Sequence, residues 1–400
     1  MQSYEQQFKS LADIGSINRG KSKHRPRNDH SLYGGDYPFI QTGDVKAAHF
    51  YLSSFSQTYN ERGLAQSKLW QPGTLCITIA ANIADTAILK IPACFPDSII
   101  GFLPKANVAD VRFVKYCLDT YKQQMQSISQ GTTQDNLSQE KLLGIKFKIP
   151  SFQEQQKIAA VLSAYDDLIE NNRRRIELLE RMAEELYREW FVRFRFPGYQ
   201  QAKFHKGLPA EWELKKLKDI LELCYGKALK EEQRQPGDFP VYGSSGVVGF
   251  HNKALVDGPG IIVGRKGNVG RIHWADTGFF PIDTAYFVKA KTSLHYIFFM
   301  LDGLNFINND SAVPGLNREQ AYSNPVILPP APLVEKFEGV VISYFAKKKH
   351  LLKKNEILSE MRDQLLNRLI SGKLPVDQLD IQFPPSMREA DAARQEVAHA

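Results

Sequence analysis

The sequence predicts an α+β protein in which two tandem globular domains alternate with two long helices. The helices are expected to form an antiparallel coiled coil, making the chain pseudo-twofold symmetric. Three observations predict this. The chain repeats itself; each copy opens with short β-branched and aromatic runs broken by Gly, Pro and Asn; and each copy closes on a long stretch of heptad-spaced apolar residues. A length of 400 residues suits two or three domains. The 43% hydrophobic and 24% charged residues are those of a soluble globular chain.

The repeat runs through the chain in order. LADIGSINRGK (11–21) and LKDILELCYGK (217–227) share Leu, Asp-Ile and Gly-Lys at matching places. DYPFIQTGDV (36–45) parallels DFPVYGSSGV (238–247), and LWQPGTLCITIA (69–80) parallels LVDGPGIIVGRK (255–266). NLSQEKL, followed by KIP (148–150), parallels LNREQAY, followed by LPP (328–330). Beyond those prolines Glu177, Leu178, Leu179 and Met182 match Glu356, Ile357, Leu358 and Met361 at a constant offset of 179. Gly20 and Gly226 stand 206 apart, so the first copy carries the longer loops.

Within each copy the first part is mixed. TLCITIA, GIIVGR and AYFVKA are apolar runs bounded by turn residues and predict strands. DVRFVKYCLDTYKQQMQSI and LHYIFFMLDGL predict helices packed beside them. These segments define globular domains over 1–150 and 207–328.

The second part is helical. Ile158, Leu162, Tyr165, Ile169, Asn172, Ile176, Leu179, Ala183, Leu186 and Trp190 recur at alternating spacings of four and three, which predicts a helical spacer over 151–196. Asn172, its one polar member, either fixes register or is an ordinary exposed Asn. Arg173, Arg174 and Arg175 fall mostly off the seam and read as a solvated face. The second spacer, 330–372, keeps Val341, Tyr344, Leu351, Leu358, Leu365 and Leu369 on the seam, but Lys348 and Asn355 interrupt it. KKKHLLKK (347–354) reads as solvated. At 1.5 Å per residue such a helix spans roughly 60 Å, enough to act as a ruler. The polar segment 373–400 is expected to be a mobile tail.

Several function classes are disfavoured. No apolar run approaches the roughly 18 residues of a membrane span, and MQSYEQQFKS lacks the apolar core of a signal peptide. Cys76, Cys94, Cys117 and Cys224 are widely spaced with no C-x-x-C pair, against a disulfide framework or a zinc site and in favour of a reducing cytoplasm. The net charge of +7 and a pI near 9.0 are compatible with nucleic acid. GSINRGKS (15–22) satisfies G-x-x-x-x-G-K-[ST], a pattern that cradles nucleotide phosphates when a buried strand precedes it and a helix follows. Here FKSLADI precedes it, Pro26 opposes a helix after it, and the duplicate LELCYGKA keeps only Gly226 and Lys227, with Leu221 and Ala228 at the other motif positions. The chain has no Asn- or Asp-Pro-Pro-aromatic motif, no G-x-G-x-x-G and no H-E-x-x-H. Asp166 and Asp167, adjacent carboxylates on the first long helix, read as solvated.

PSFQEQQKIAAVLSAYDDLIENNRRRIELLERMAEELYREWFVRFRFPG (150–198), followed by GLPAEWELKKLKDI (207–220), strongly resembles the central region of type I restriction–modification specificity (S) subunits. LLNRLISGKLPV (365–376) resembles their second helical region. The resemblance covers nearly the whole chain in the family's order of domain, helix, domain, helix. It implies two target recognition domains, each reading half of a split duplex DNA site, with the helices setting the unread spacer. It further implies two methyltransferase (M) subunits that use S-adenosylmethionine, two restriction/translocase (R) subunits that use ATP with Mg, and a bacterial or archaeal cytoplasm. The chain itself would carry no chemistry, cofactor or metal. Pseudo-twofold symmetry suits contact with two half-sites.

Within such domains the candidate DNA contacts are basic or amide side chains on loops. Arg19, Lys21, Lys23, His24, Arg25, Arg27 and His30 form a basic run opposed only by Asp29, suited chiefly to phosphates. In the second domain GRKGNVGR (264–271) offers Arg265, Lys266, Asn268 and Arg271, of types that can read guanine or adenine bidentately. Thr132, Thr133, Gln134 and Asn317 lie in QGTTQDN (130–136) and its counterpart SAVPGLN (311–317). The competing readings are a flexible solvated loop for the first group and a plain β-turn for the second. For the whole chain the alternatives are a nucleotide-binding enzyme built on GSINRGKS and a coiled-coil scaffold with protein partners only.

Overall fold

The computed structural model describes residues 7–26, 28–129, 137–304, 306 and 315–387. The chain divides into two compact units, one built from residues up to 171 together with those from 354 onward, the other from residues 172–353. The boundaries therefore fall inside the long helices, whereas the sequence pattern placed them at the helix ends. The reason is burial: Ile158, Leu162 and Leu369 belong to the core of the first unit, and Ala183, Phe337 and Val341 to that of the second.

The first unit contains β1 (Gln7–Lys9), β2 (Gly15–Arg19), β3 (Leu75–Thr78), β4 (Thr86–Leu89), β5 (Ile99–Pro104), α1 (Val111–Thr120), α2 (Gln139–Gly144), β6 (Phe147–Ile149) and the start of the long helix α3 (Phe152–Tyr187). β1 and β6 pair antiparallel. β2, β5, β3 and β4 form an antiparallel sheet in that order, and Tyr51–Leu52 adds a short parallel strand at its edge. Ile100 on the central strand faces Arg19 on one side and Ile77 on the other. α1 starts where the Asp110 carboxylate accepts the backbone N–H groups of Arg112 and Phe113 at 2.9 and 3.2 Å. The helix then buries Phe113, Val114, Cys117 and Leu118 in the core.

The second unit repeats this plan with β7 (Glu213–Lys216), β8 (Leu221–Tyr225), β9 (Gly260–Gly264), β10 (Ile272–Ala275), β11 (Ala285–Ala290), α4 (Leu294–Asp302), α5 (Arg318–Ser323), β12 (Pro325–Leu328) and α6 (Ala331–Ile370). β7 pairs with β12 as β1 does with β6, and the sheet order β8-β11-β9-β10 matches β2-β5-β3-β4. Tyr286 faces Tyr225 and Val263, as Ile100 faces Arg19 and Ile77. The repeat legible in sequence is thus a repeat of strand order and register.

α3 begins with a reciprocal cap: Ser151 N–H donates to Glu154 Oε2 at 3.1 Å, and Glu154 N–H to Ser151 Oγ at 3.3 Å. Its apolar seam is as the spacing predicts. Ile158, Leu162, Ile169, Ile176 and Ala183 are buried, and Tyr165, Leu179, Leu186 and Trp190 are half-buried. Asn172 is 7% exposed, which excludes the exposed alternative. On α6, Val341, Leu351 and Leu369 are buried and Tyr344, Leu358 and Leu365 half-buried. The polar interruptions face the same seam. In the first unit Arg362 Nη1 donates to Asp166 Oδ1 at 2.5 Å and Asn355 Nδ2 to the Ile169 carbonyl at 3.5 Å. In the second, Lys348 Nζ pairs with Glu180 at 2.6 Å and Phe337 meets Tyr187. Within each unit the α6 numbers fall as the α3 numbers rise, so the helices run antiparallel.

Two expectations are corrected. Asp166 is not solvated: it is 6% exposed and held between the Tyr116 hydroxyl and Arg362, because α1 closes over that face of α3. Nor are residues 373–387 a mobile tail. Val376 and Met387 lie in the core of the first unit, Arg112 donates to the Ser386 carbonyl at 3.2 Å, and Lys157 to that of Asp377 at 2.7 Å. Four apolar residues in the segment, Leu374, Val376, Ile381 and Phe383, supply the burial that its polar composition masked. Residues 388–400 lie outside the described part.

Candidate nucleic-acid interface

In each domain a basic segment picked out in the sequence lies at the same edge of that domain's own sheet. In the first domain β2 and β3 end there and β5 begins. Gly20 N–H donates to the Ile99 carbonyl at 2.8 Å, and Leu137 N–H, leading into α2, donates to that of Ile79 at 3.0 Å. The second domain reproduces both bonds, from Gly226 N–H to Ala285 at 3.1 Å and from Leu316 N–H to Arg265 at 2.8 Å. By this correspondence Arg19 stands where Tyr225 does, Ile79 where Arg265 does, and Gln139 where Arg318 does.

The repeated Gly-Lys turns the corner at this edge. A Cβ on Gly20 would lie 2.3 Å from the Pro96 carbonyl oxygen, and one on Gly226 2.1 Å from that of Ile282, so only glycine lets the chain pass. Lys21 and Lys227 then donate their backbone N–H groups to Phe95 and Pro281 at 2.9 and 3.0 Å. GSINRGKS is therefore a strand and a corner, not a phosphate cradle. Leu11–Ile14 before it is a short helix, β2 is antiparallel to its neighbour, and among the described residues no α-helix follows until Thr42–Ala47. The nucleotide-binding alternative lacks its required geometry.

The loop after β3 and the loop after β9 share one backbone built from different residues. Thr78 N–H donates to Asp85 and Ala84 N–H to Thr78, just as Gly264 N–H donates to Arg271 and Gly270 N–H to Gly264. Ala81 and Ala84 adopt φ of +61° and +65°, where the second domain has Gly267 and Gly270 at +79° and +73°. Asp85, in the position of Arg271, is ion-paired with Lys122 at 2.6 Å. The two domains thus keep one chain path and place their basic side chains at different points along it.

In the first domain those side chains are on the corner. Arg19, Lys21, Lys23, Arg25 and His30 are exposed. The loop is hydrogen-bonded rather than free: Lys23 and His24 N–H groups donate to Gln66 Oε1 at 2.6 and 3.0 Å, and Arg25 Nη1 donates to the Ser22 and His24 carbonyls, both at 2.8 Å. Asp29 lies 2.8 Å from the His24 ring; the Ser31 N–H, with that ring, holds its carboxyl below the usual range. Beside the run lies an open cleft of about 580 Å³ lined by Ser22, His30, Tyr33, Gln41, Gln57 and Thr58. Arg27, Thr132, Thr133 and Gln134 lie outside the described residues.

In the second domain Lys266, Asn268 and Arg271 are exposed and Arg265 is half-buried. Asn317 is exposed too, but its side-chain oxygen caps α5, accepting the N–H groups of Glu319 and Gln320 at 2.9 and 3.2 Å. Sequence reasoning missed Tyr225 and Arg318. The Arg265 guanidinium lies 4.9 Å from the Tyr225 ring centre and that of Arg318 5.1 Å from it. Burial, with the Tyr225 hydroxyl beside it, pushes Tyr286 up to about 12, while Arg265 acts in the opposite direction. Tyr225 had one usable signal, its place directly before the repeated Gly-Lys.

Among the described residues no three His, Cys, Asp or Glu side chains are grouped to hold a metal ion, and no helix is long and apolar enough to cross a membrane. The two domains carry one backbone edge twice, with different side chains on each copy. The sequence matches the type I restriction modification DNA specificity domain over residues 4–181 and 209–358, and the chain belongs to that family. It is a specificity subunit, the non-catalytic component of such a system. The MjaIX type I restriction enzyme specificity subunit of Methanocaldococcus jannaschii is 26% identical, covering 93% of this chain and 94% of its own length. The EcoprrI specificity subunit of Escherichia coli is 20% identical over 79% and 82%. The crystal structure of a type I S subunit from M. genitalium shares the fold, with a TM-score of 0.56 at 18% identity, covering 92% of this chain and 97% of that one.

Proposed function

We propose that this subunit reads a split duplex DNA site, with residues 1–150 reading one half and 207–328 the other, while the helices set the length of the unread spacer. The observation that carries the reading is the duplicated edge. One backbone path bears Arg19, Ile79 and Gln139 in one domain and Tyr225, Arg265 and Arg318 in the other, so two related surfaces present different chemistry to two different half-sites. Exposed lysines and arginines around each edge supply phosphate contacts, which make affinity salt-dependent.

The partners in this reading are two methyltransferase and two restriction/translocase subunits, bringing S-adenosylmethionine and ATP with Mg. The helices support paired recruitment because each exposes the same apolar pair. Leu178 and Met182 are 51% and 43% exposed, and their repeat counterparts Ile357 and Met361 are both 46% exposed. A groove of about 490 Å³ lined by Leu178, Leu179, Met182 and Leu351 adjoins the first pair. Isolated exposed apolar residues are ordinary, but a pair repeated at equivalent positions fits two copies of one partner.

Methylation sequencing of cells expressing the chain with its methyltransferase partner tests the reading. A split motif modified in both halves is expected, and exchanging residues 1–150 for a relative's should change one half alone. A contiguous motif, or both halves changing together, would refute it.

A further inference from the structure

We propose that Arg265 is the base-reading residue of the second domain and takes the O6/N7 edge of a guanine, with Tyr225 as its positioning residue. This rests on the chain being a two-domain DNA reader. Arg265 is distinguished from its basic neighbours by being held. Nη1 donates to the Asp283 carbonyl at 3.0 Å, the guanidinium lies over Tyr225 at 4.9 Å and near Tyr286 at 5.8 Å, and its backbone is fixed by Thr284 and Leu316. Lys266 and Arg271 are exposed on the same loop, positioned to meet phosphate.

A side chain that discriminates bases must present its donors in a fixed direction, and a planar fork already oriented loses less freedom on binding. A guanidinium carries five N–H donors and no acceptor, so a bond to one carbonyl leaves a fork available. In the major groove guanine offers two acceptors, O6 and N7, whereas adenine pairs its N7 acceptor with the N6 donor. A donor-only fork fits the first and opposes the second. Arg318, 5.1 Å from the other cation's tyrosine, adds positive charge beside the site, and Glu319 stands 3.7 Å from Arg318 Nε. The first domain has Arg19 and Ile79 in place of Tyr225 and Arg265, so the effect belongs to one half-site.

The test uses the full chain with its methyltransferase partner, reading the methylated motif and the binding of duplexes that vary one base pair at a time. R265A should relax one guanine position in the second domain's half-site, with discrimination there falling roughly 5- to 150-fold and the other half unchanged. R265K keeps the charge and stem without the fork, and should relax the same position, which separates reading from folding. Y225F keeps an aromatic face under the cation and Y225L removes it, so Y225L should weaken discrimination at that position, and more than Y225F does. An equal loss on all sequences with a shallower salt slope would make Arg265 a phosphate contact and overturn the proposal. So would an unchanged motif, relaxation at a base other than guanine, or full specificity in R265K. Absence of any split motif in the wild type would instead defeat the two-domain reading itself.

Discussion

Removing the Arg362 head group isolates the polar lock in the helical seam of the first unit. Asp166 is 6% exposed and Arg362 retains 24% of its side-chain exposure, with 2.5 Å between them. Burial opposes the charge on Arg362, but Asp166 and Asp363 outweigh it and leave its pKa raised. Breaking a fully buried pair by deleting one partner costs about 3–5 kcal/mol. Here water reaches the arginine and the Tyr116 hydroxyl still donates to Asp166, so Arg362→Met should cost about 2–3 kcal/mol. Replacing the whole lock with apolar groups (Asp166→Leu, Arg362→Met and Tyr116→Phe together) removes both buried charges and the hydroxyl at once, and should return stability to within about 1 kcal/mol of wild type. Urea unfolding gives the free energies, and hydrogen-exchange mass spectrometry of peptides in 152–171 locates the loss in the first unit. A change below about 0.5 kcal/mol for Arg362→Met, or a triple variant no more stable than it, would refute the reasoning.

Two further outcomes follow from backbone and charge. Gly267→Ala places in the second domain the residue its counterpart already bears, at φ +79°, and should cost about 1 kcal/mol, while Ala81→Gly should be neutral to stabilising by up to about 1 kcal/mol; thermal unfolding of the full chain measures both, and equal signs would contradict a shared left-handed strain. Burial raises the Glu338 carboxyl, but hydrogen bonds from His295 and Ser293 more than offset this and leave it below its ordinary 4.5. A lowered folded pKa gives stability that is whole above the unfolded value and lost as pH falls through the folded one. Wild type should therefore lose stability below about pH 4.5 more steeply than Glu338→Gln, as read by urea midpoints across pH 3–6.

Much of the fold was legible because duplication makes weak signals reinforce one another. The seam held from Ile158 to Leu186 on α3, including Asn172, and on to Trp190 in the π-helical turn that follows, since a spacing of four and three admits one buried stripe on a helix. The second seam looked noisier than it is. Lys348 and Asn355 read as interruptions because periodicity counts apolar residues and cannot see that Glu180 and the Ile169 carbonyl wait opposite. Asp166 and the 373–387 segment were misread for the same reason, composition alone being blind to partners distant in sequence. At the candidate interface, the basic residues of 19–25 and 265–271 were visible as charge. Tyr225 and Arg318 were not, because their meaning comes from the Arg265 and Arg318 guanidinium groups both lying over the Tyr225 ring, which joins the end of one strand to another and to a helix start.

By itself the sequence determined that this chain is one design written twice, with helices after each copy and a Gly-Lys corner in both. Those are properties of order, spacing and residue type, which survive without coordinates. Only the tertiary structure decided what the corner is for. The carbonyls of Pro96 and Ile282 leave no room for a side chain, so the glycine of GSINRGKS turns a strand at a sheet edge. The same packing that closes the corner brings 15–22, 78–85 and the approach to α2 together there, and their counterparts in the second domain. Short-range pattern fixes which elements form; hydrogen bonds between residues scores of positions apart fix which side chains meet.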